Sequence, residues 1–475
     1  MSILLPMLVV LAVEPSRMPT DVPDAVPWTG EPKPKPEPKP KAGPTPTPAP
    51  VAEPVIATAL DAPAAAPART WTVTAFVDTG YALNNNRPDN HLYRGTSTTP
   101  RTDEFTINLG AVALTHDATD DEPYRFEFGL QAGSAADALV AGEPVPGGDD
   151  GAFAGAETWK HLALANAGGR IAQSGTELGA GLFASPIGIG GFWSPFNANV
   201  TPSWASNAAP FYFAGLRVQQ DLPAGFGLQA WLVNGWQTLA DANGAPSGLV
   251  GATWDHHAPS GSWYAAGFVY FGPDDVDLSA DAWRVHTDGQ VGWRGRRLGV
   301  AAVWDYGRER VTALPDAPVQ WWTGGGLFVD GRAYEGRRVD VDVAIRPEAW
   351  RDRGGRIYGV DQWLLSGTGT FAVRFFDVLL LRAEYRYDRS TADGGFFYRA
   401  DATSPDAPGL ASDQHTVFFN VAGVFAHSFA IGRATPSAES ISAHGRAVSH
   451  EAVLTRRSRG GRARSRRRDG CATGC

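Results

Sequence analysis

Few residues in this sequence stand at spacings that support covalent or metal chemistry. His256 and His257 are adjacent beside a short turn. Neighbouring side chains of a strand leave on opposite faces, so the two cannot share one ion. The acidic run GPDDVDLSAD at 272–281 offers oxygen ligands but lacks the glycine-centred spacing of a calcium loop, and reads as a solvated outer loop. Cys471 and Cys475, the only cysteines, have metal-like spacing without partner ligands. His427 and Ser428 adjoin in AHSFA, yet adjacent residues diverge in a strand, and no G-x-S-x-G elbow supplies a nucleophile. The expectation is no catalytic residue, no metal and no cofactor.

The remaining chemistry lies in ionisable side chains at alternate positions. In LLLRAEYRYD, Arg382, Glu384, Arg386 and Asp388 share one parity, while Leu381, Ala383, Tyr385 and Tyr387 share the other. EPYRFEFGLQ sets Arg125, Glu127 and Gln131 against Tyr124, Phe126, Phe128 and Leu130, and VDVDVAIRPE sets Asp340, Asp342, Arg346 and Glu348 against Val339, Val341, Val343 and Ile345. Alternation of this kind makes a strand with one polar and one apolar face. In a soluble sandwich the charges meet bulk water; in a membrane barrel they line the lumen. Arg217 and Arg374, on two further alternating segments, join the lumen-facing candidates.

The elements that must carry these faces run from Trp71 to Phe429. Short alternating segments are separated there by Gly, Pro, Asn and Asp clusters. Strands are expected near 71–83, 103–115, 123–133, 157–166, 176–187, 210–220, 226–236, 248–257, 262–272, 282–293, 297–309, 319–331, 338–349, 363–375, 379–388 and 415–429, about sixteen in all. Connections alternate in length: 84–102, 134–156, 188–209 and 389–414 are long, whereas 221–225, 258–261, 294–296 and 376–378 are tight. Barrels of the outer membrane have long extracellular loops and short periplasmic turns. That pattern, with aromatic residues at strand ends, favours an all-β transmembrane antiparallel barrel with both termini in the periplasm.

Composition agrees. The 475 residues are 43% hydrophobic and 19% charged, with 55 Gly, 16 Trp and 23 Phe, and a mean hydropathy of −0.20. The one sustained apolar run, Ile3–Val13, is too short for a spanning helix, which needs roughly 18 residues. With Val10 and Ala12 at −3 and −1 of a cleavage site it reads as a signal peptide over 1–12, although no Lys or Arg precedes Ile3. Residues 13–69 contain PKPKPEPKPK and TPTPAP, a Pro-rich linker that cannot build a core and could reach peptidoglycan or a periplasmic protein. A TonB-like role hinted at by that run lacks the folded domain it would need. The net charge of −9 argues against a nucleic-acid partner. No cysteine lies inside the barrel region, so stability must come from a hydrogen-bonded framework.

The final strand, HTVFFNVAGVFAHSF, puts Val417, Phe419, Val421, Phe425 and Phe429 on one parity and ends in Phe. Phe425 and Phe429 look like the assembly signal read by the barrel-assembly machinery. Residues 430–475, with RRSRGGRARSRRR, show no alternation and read as a disordered basic tail or an extension of the coding frame.

With its strands placed, the chain resembles the Putative β-barrel porin-2 family, the OmpL-like porins, over nearly all of 72–429. TAFVDTGYALNNNRP resembles the family's opening strand and loop. GLFASPIG with GFWSPFNANVTPSW resembles its mid-chain segment, and FAGLRV with LQAWLVNGW the hairpin that follows. AIRPEAWRDRGG and LLLRAEYRYDRS resemble its charged closing strands. The Pro-rich insert and the tail are departures from the pattern. The resemblance implies an outer-membrane, water-filled channel for passive diffusion of small hydrophilic solutes or ions. Two alternatives stay open: a plugged barrel acting as a surface scaffold or adhesin, and a membrane-embedded lipase or protease barrel.

Overall fold

The structure, a computed structural model, describes residues 70–119, 122–140, 159–241, 243–273, 281–312, 314–404 and 407–430. The signal peptide, the Pro-rich linker and the tail expected from the sequence lie outside these residues.

Alternating residues extend the chain into β1 (Thr70–Asn84), β2 (Phe105–His116), β3 (Tyr124–Ala132), β4 (Leu162–Ile171), β5 (Thr176–Ala184), β6 (Tyr212–Leu222), β7 (Phe226–Val233) and β8 (Ser247–Ala258). They continue through β9 (Gly261–Pro273), β10 (Trp283–Arg294), β11 (Leu298–Arg310), β12 (Val319–Glu335), β13 (Val339–Arg353), β14 (Gln362–Phe375) and β15 (Leu379–Ser390). A small hairpin, β16 (Phe397–Ser404) and β17 (Ala407–Ala411), stands apart before the closing strand β18 (Asp413–Ala430). Each barrel strand pairs with its neighbours antiparallel, and β18 returns to β1 in a register running from Thr70 opposite Ala430 to Asn84 opposite Thr416. The sheet is thus a closed sixteen-stranded barrel with no free edge, which is what a strand framework needs in hydrocarbon.

The number and order of the strands match the expectation, and β4 is the strand displaced most. β4 occupies 162–171 rather than 157–166. Gly168 and Gly169 fall between the expected strands 157–166 and 176–187 but lie inside β4, where a Cβ at 168 would stand 2.2 Å from the Leu178 carbonyl oxygen. Close approach of β5, not chain reversal, requires glycine there. Two short helices within long connections, α1 (Ser134–Val140) and α2 (Trp204–Ala208), and the β16–β17 hairpin have no counterpart in the alternation.

Connections alternate around the whole barrel. Residues 117–123, 172–175, 223–225, 259–260, 295–297, 336–338 and 376–378 close one end, and the longer connections, including 85–104, 185–211 and 391–412, close the other.

Burial settles the choice between sandwich and membrane barrel. Arg382, Glu384, Arg386 and Asp388 are 4%, 1%, 1% and 0% exposed, while Ile345, Phe371, Phe419 and Phe425 are more than half exposed. A soluble sandwich would show the reverse. A belt of exposed Val, Leu, Ile and Phe around the wall is stable only against lipid. Exposed aromatics flank the belt at both ends: Tyr124, Phe226, Trp263 and Tyr334 toward the short turns, and Phe105, Trp283, Trp321 and Trp363 toward the long connections. They form the two girdles of a bilayer-spanning wall.

Candidate functional site

The inward faces of β13, β14 and β15 carry the densest polar surface of the barrel, and what they hold is a piece of the chain itself. The connection 185–211, between β5 and β6, turns inward and crosses to that wall. Pro195 opens a short 3₁₀ turn at Ser194–Phe196, and Ser203 caps α2 by accepting from the Ser206 amide at 3.0 Å. Between these turns the backbone bends through 197–201 and joins no ladder, so its polar groups need side-chain partners.

The charged rows of β13 and β15 supply those partners. Arg382 donates to the carbonyls of Ser194 (2.8 Å), Asn197 (3.2 Å) and Asn199 (3.4 Å), and to the Ser194 hydroxyl. Glu384 accepts from the amides of Val200 (2.6 Å) and Thr201 (3.0 Å) and from the Thr201 hydroxyl. Pro202 has no amide to satisfy, and its carbonyl accepts from Arg386 (2.7 Å) and Arg346 (3.0 Å). Arg346 also donates to the Thr201 carbonyl at 2.7 Å, and Glu348 accepts from the Trp204 amide. The Arg386 guanidinium lies 4.8 Å from the Trp204 ring centre. On this wall three guanidiniums, Arg346, Arg382 and Arg386, face three carboxylates, Glu348, Glu384 and Asp388, all buried, so the gripping face is electrically balanced. Asp388 is further tied to Tyr93 of the 85–104 connection at 2.8 Å. Burial and the Asp388 carboxylate lift the Tyr93 phenol well above its usual value, which keeps it a donor.

Apolar side chains of the same segment fill the space beside this grip. Trp204 and Ile189 join the cluster that holds Trp322, Trp350 and Phe396; Phe192 and Trp193 join that of Phe76, Leu109 and α1; Ile187 and Ala209 join that of Phe213, Trp236 and Tyr270. Three sides of the lumen thus receive the segment.

Toward the short turns the lumen wall is different: paired charges remain partly open to solvent. Arg125 pairs with Glu127, Asp117 and Glu177, and Arg170 with Glu177 and Asp221. Arg294 pairs with Asp330 at 2.6 Å, and Arg332 with Asp340 and Asp342. Arg217 lies over the rings of Phe183 (5.0 Å) and Trp231 (5.5 Å). Arg374 stands opposite Asp340 in the β13–β14 register and is partly exposed. Gln131 accepts from the Trp193 indole at 3.3 Å, so it too touches the inserted segment.

The structure therefore sorts the residues picked from the sequence into three sets. Arg346, Glu348, Arg382, Glu384, Arg386 and Asp388 are brought together around 194–204 or its neighbouring loop, and Gln131 meets the segment from the other side. Arg125, Glu127, Arg217, Asp340, Asp342 and Arg374 lie nearer the short turns. Phe425 belongs to the outward row of β18, and Phe429 pairs with Trp71 where the barrel closes. Sequence reasoning missed the inward row of β10 and β11, where Arg284 pairs with Glu309 and Arg356 joins them, and where Asp288 stands opposite Asp305. The alternation of WRVHTDGQ carried that signal. It also read 188–209 as an outer loop, whereas 194–209 is almost wholly buried; the buried Trp193 and Trp204 were the clue. Among the described residues no group of three or more His, Cys, Asp or Glu side chains could hold a metal ion.

Several solved barrels are similar to this chain at low identity. The anion-selective porin from Comamonas acidovorans is 11% identical with a TM-score of 0.46, covering 75% of this chain and 100% of that one. OprB of Pseudomonas putida is 8% identical with a TM-score of 0.45, over 75% of this chain and 94% of that one. The outer-membrane channel DcaP of Acinetobacter baumannii is 10% identical with a TM-score of 0.44, over 76% of this chain and 99% of that one. No curated protein matched the sequence. The family described as Putative beta-barrel porin-2, OmpL-like, matches residues 70–425, three-quarters of the chain and every barrel strand. The chain belongs to that family of outer-membrane β-barrel porins.

Proposed function

We propose that this porin-family barrel passes small hydrophilic solutes or ions by passive diffusion, through a lumen narrowed by the inserted segment 185–211. The observation that carries the reading is the inversion of polarity: lipid-facing rows are apolar, and the enclosed face bears charged residues along its height. Toward the short turns, Arg125, Arg217, Asp340, Asp342 and Arg374 keep partial exposure, so a solute there meets fixed charges of both signs. Such charges tune which ions pass. The short-turn end and both termini face the periplasm in this reading, with outer-membrane lipid around the wall and the barrel-assembly machinery acting on Phe425 and Phe429.

A plugged barrel is the second reading, favoured by the burial of 194–209. Single-channel recording separates the two, since a porin conducts in a planar bilayer and a plugged scaffold does not. A lipase barrel would instead release fatty acid from phospholipid. Orientation has its own test. Protease added to intact cells is expected to cut in the connections at the long end, such as 311–318, and to spare 223–225. Cutting confined to the short turns would invert the topology.

A further inference from the structure

Two short turns carry the same triplet, Gly295-Arg296-Arg297 and Gly336-Arg337-Arg338, and each runs straight into the first outward apolar side chain of the next strand, Leu298 and Val339. Because β11 and β12 are hydrogen-bonded neighbours, the turns sit side by side on one arc of the rim. All four arginines are exposed. Their inward neighbours Arg294 and Arg332 already hold the nearby Asp330, Asp340 and Asp342. Among the described residues the four guanidiniums form no ion pair, and Arg338 alone has a ring contact, 5.8 Å from Phe376. The surface beside them is lipid-facing at Leu298, Tyr334, Phe376 and Val378, which are 45%, 58%, 59% and 52% exposed, with the exposed carboxylates of Glu335 and Asp377 on the same rim. Turns 172–175, 223–225 and 259–260 carry no charge at all, so the basic arc is a local feature and not a property of this rim.

Unpaired guanidinium forks at the edge of an apolar belt match one ligand chemistry, a phosphate attached to an acyl chain. The fork bonds phosphate oxygens in pairs, and the belt takes the chains. We propose that the two Gly-Arg-Arg turns clamp the phosphate of an anionic phospholipid in the leaflet that meets the short-turn end. The inference rests on the barrel being embedded in lipid, not on which side of the membrane that end faces or on whether the lumen conducts.

Native mass spectrometry of the full chain in detergent, titrated with phosphatidylglycerol or phosphatidylcholine, tests it. The wild type is expected to retain phosphatidylglycerol in preference. Replacing Arg296, Arg297, Arg337 and Arg338 together by Gln should weaken that retention by about tenfold or more, and replacement by Lys, which keeps the charge but loses the fork, should weaken it by less. Heat-modifiable mobility checks that each variant is folded. If the Gln variant does not fold, the wild-type preference must itself fall as salt rises. Equal retention of the two lipids, or unchanged retention in the folded Gln variant, overturns the proposal. Competition by inorganic phosphate at matched concentration would assign the arc to a free anion, and displacement by an acidic peptide below the lipid concentration would assign it to a protein; either overturns it. Conductance, which tests the channel reading, is independent of every one of these outcomes.

Discussion

Glu384 offers the sharpest test of how the inserted segment is held. Its carboxylate takes two backbone amides and one hydroxyl from the segment, plus the Thr370 hydroxyl at 2.6 Å, while being 1% exposed. Glu384→Gln keeps the shape but turns one oxygen into an NH₂ that faces the Val200 or Thr201 amide, donor against donor. It also leaves Arg346, Arg382 and Arg386 with one carboxylate fewer. A hydrogen bond to a buried charge is worth about 1.5–3 kcal/mol. The segment's hold should weaken by roughly that amount, which is about one to two powers of ten in the ratio of docked to undocked states. The barrel itself should persist, because its ladders run through backbone groups that the substitution does not touch. Single-channel recording of the refolded variant is expected to show larger or noisier openings than the wild type, and limited proteolysis should reach 194–204. A folded variant with unchanged conductance and a protected segment would refute the idea that Glu384 anchors it.

Facing and ends give further expectations. Ala383→Arg puts a guanidinium on the outward row of β15, where about 2–4 kcal/mol is lost near mid-membrane, so folding yield in lipid should drop. Arg374→Glu changes a partly exposed lumen charge, and should move the reversal potential in a salt gradient with the yield unaltered. If Ala383→Arg folded normally while Arg374→Glu did not, inside and outside would be exchanged. Truncation after Phe429 should leave heat-modifiable folding intact, because the β1–β18 register from Trp71 opposite Phe429 to Asn84 opposite Thr416 is kept. Loss of assembly on truncation would contradict the reading of Phe425 and Phe429 as the terminal signal.

The wall was legible in the sequence because a strand that separates lipid from an enclosed face must alternate, and each slip of one residue would exchange the faces. LLLRAEYRYD shows both rows at a glance, and the alternation of long and short connections gave the order of the ends. What the alternation does not contain is the path of an irregular segment. SPFNANVTPSW has no period, and its partners lie on β13 and β15, more than a hundred residues away. That Arg382, Glu384 and Arg346 bind backbone atoms of 194–202 is therefore invisible from either stretch alone. Gly168-Gly169 misled for a related reason, since a glycine demanded by a close neighbour looks the same in sequence as one demanded by a turn. The helices α1 and α2 are too short to register as a period of 3.6.

The account stands or falls on whether water and ions cross the barrel. Full-length protein, refolded and shown by heat-modifiable mobility to be a closed barrel, would be added to a planar lipid bilayer between symmetric salt solutions. Discrete, reproducible steps of conductance, roughly linear in voltage, are expected. A folded, inserted barrel that adds no conductance above the bare bilayer would contradict the channel reading and leave the plugged scaffold in its place.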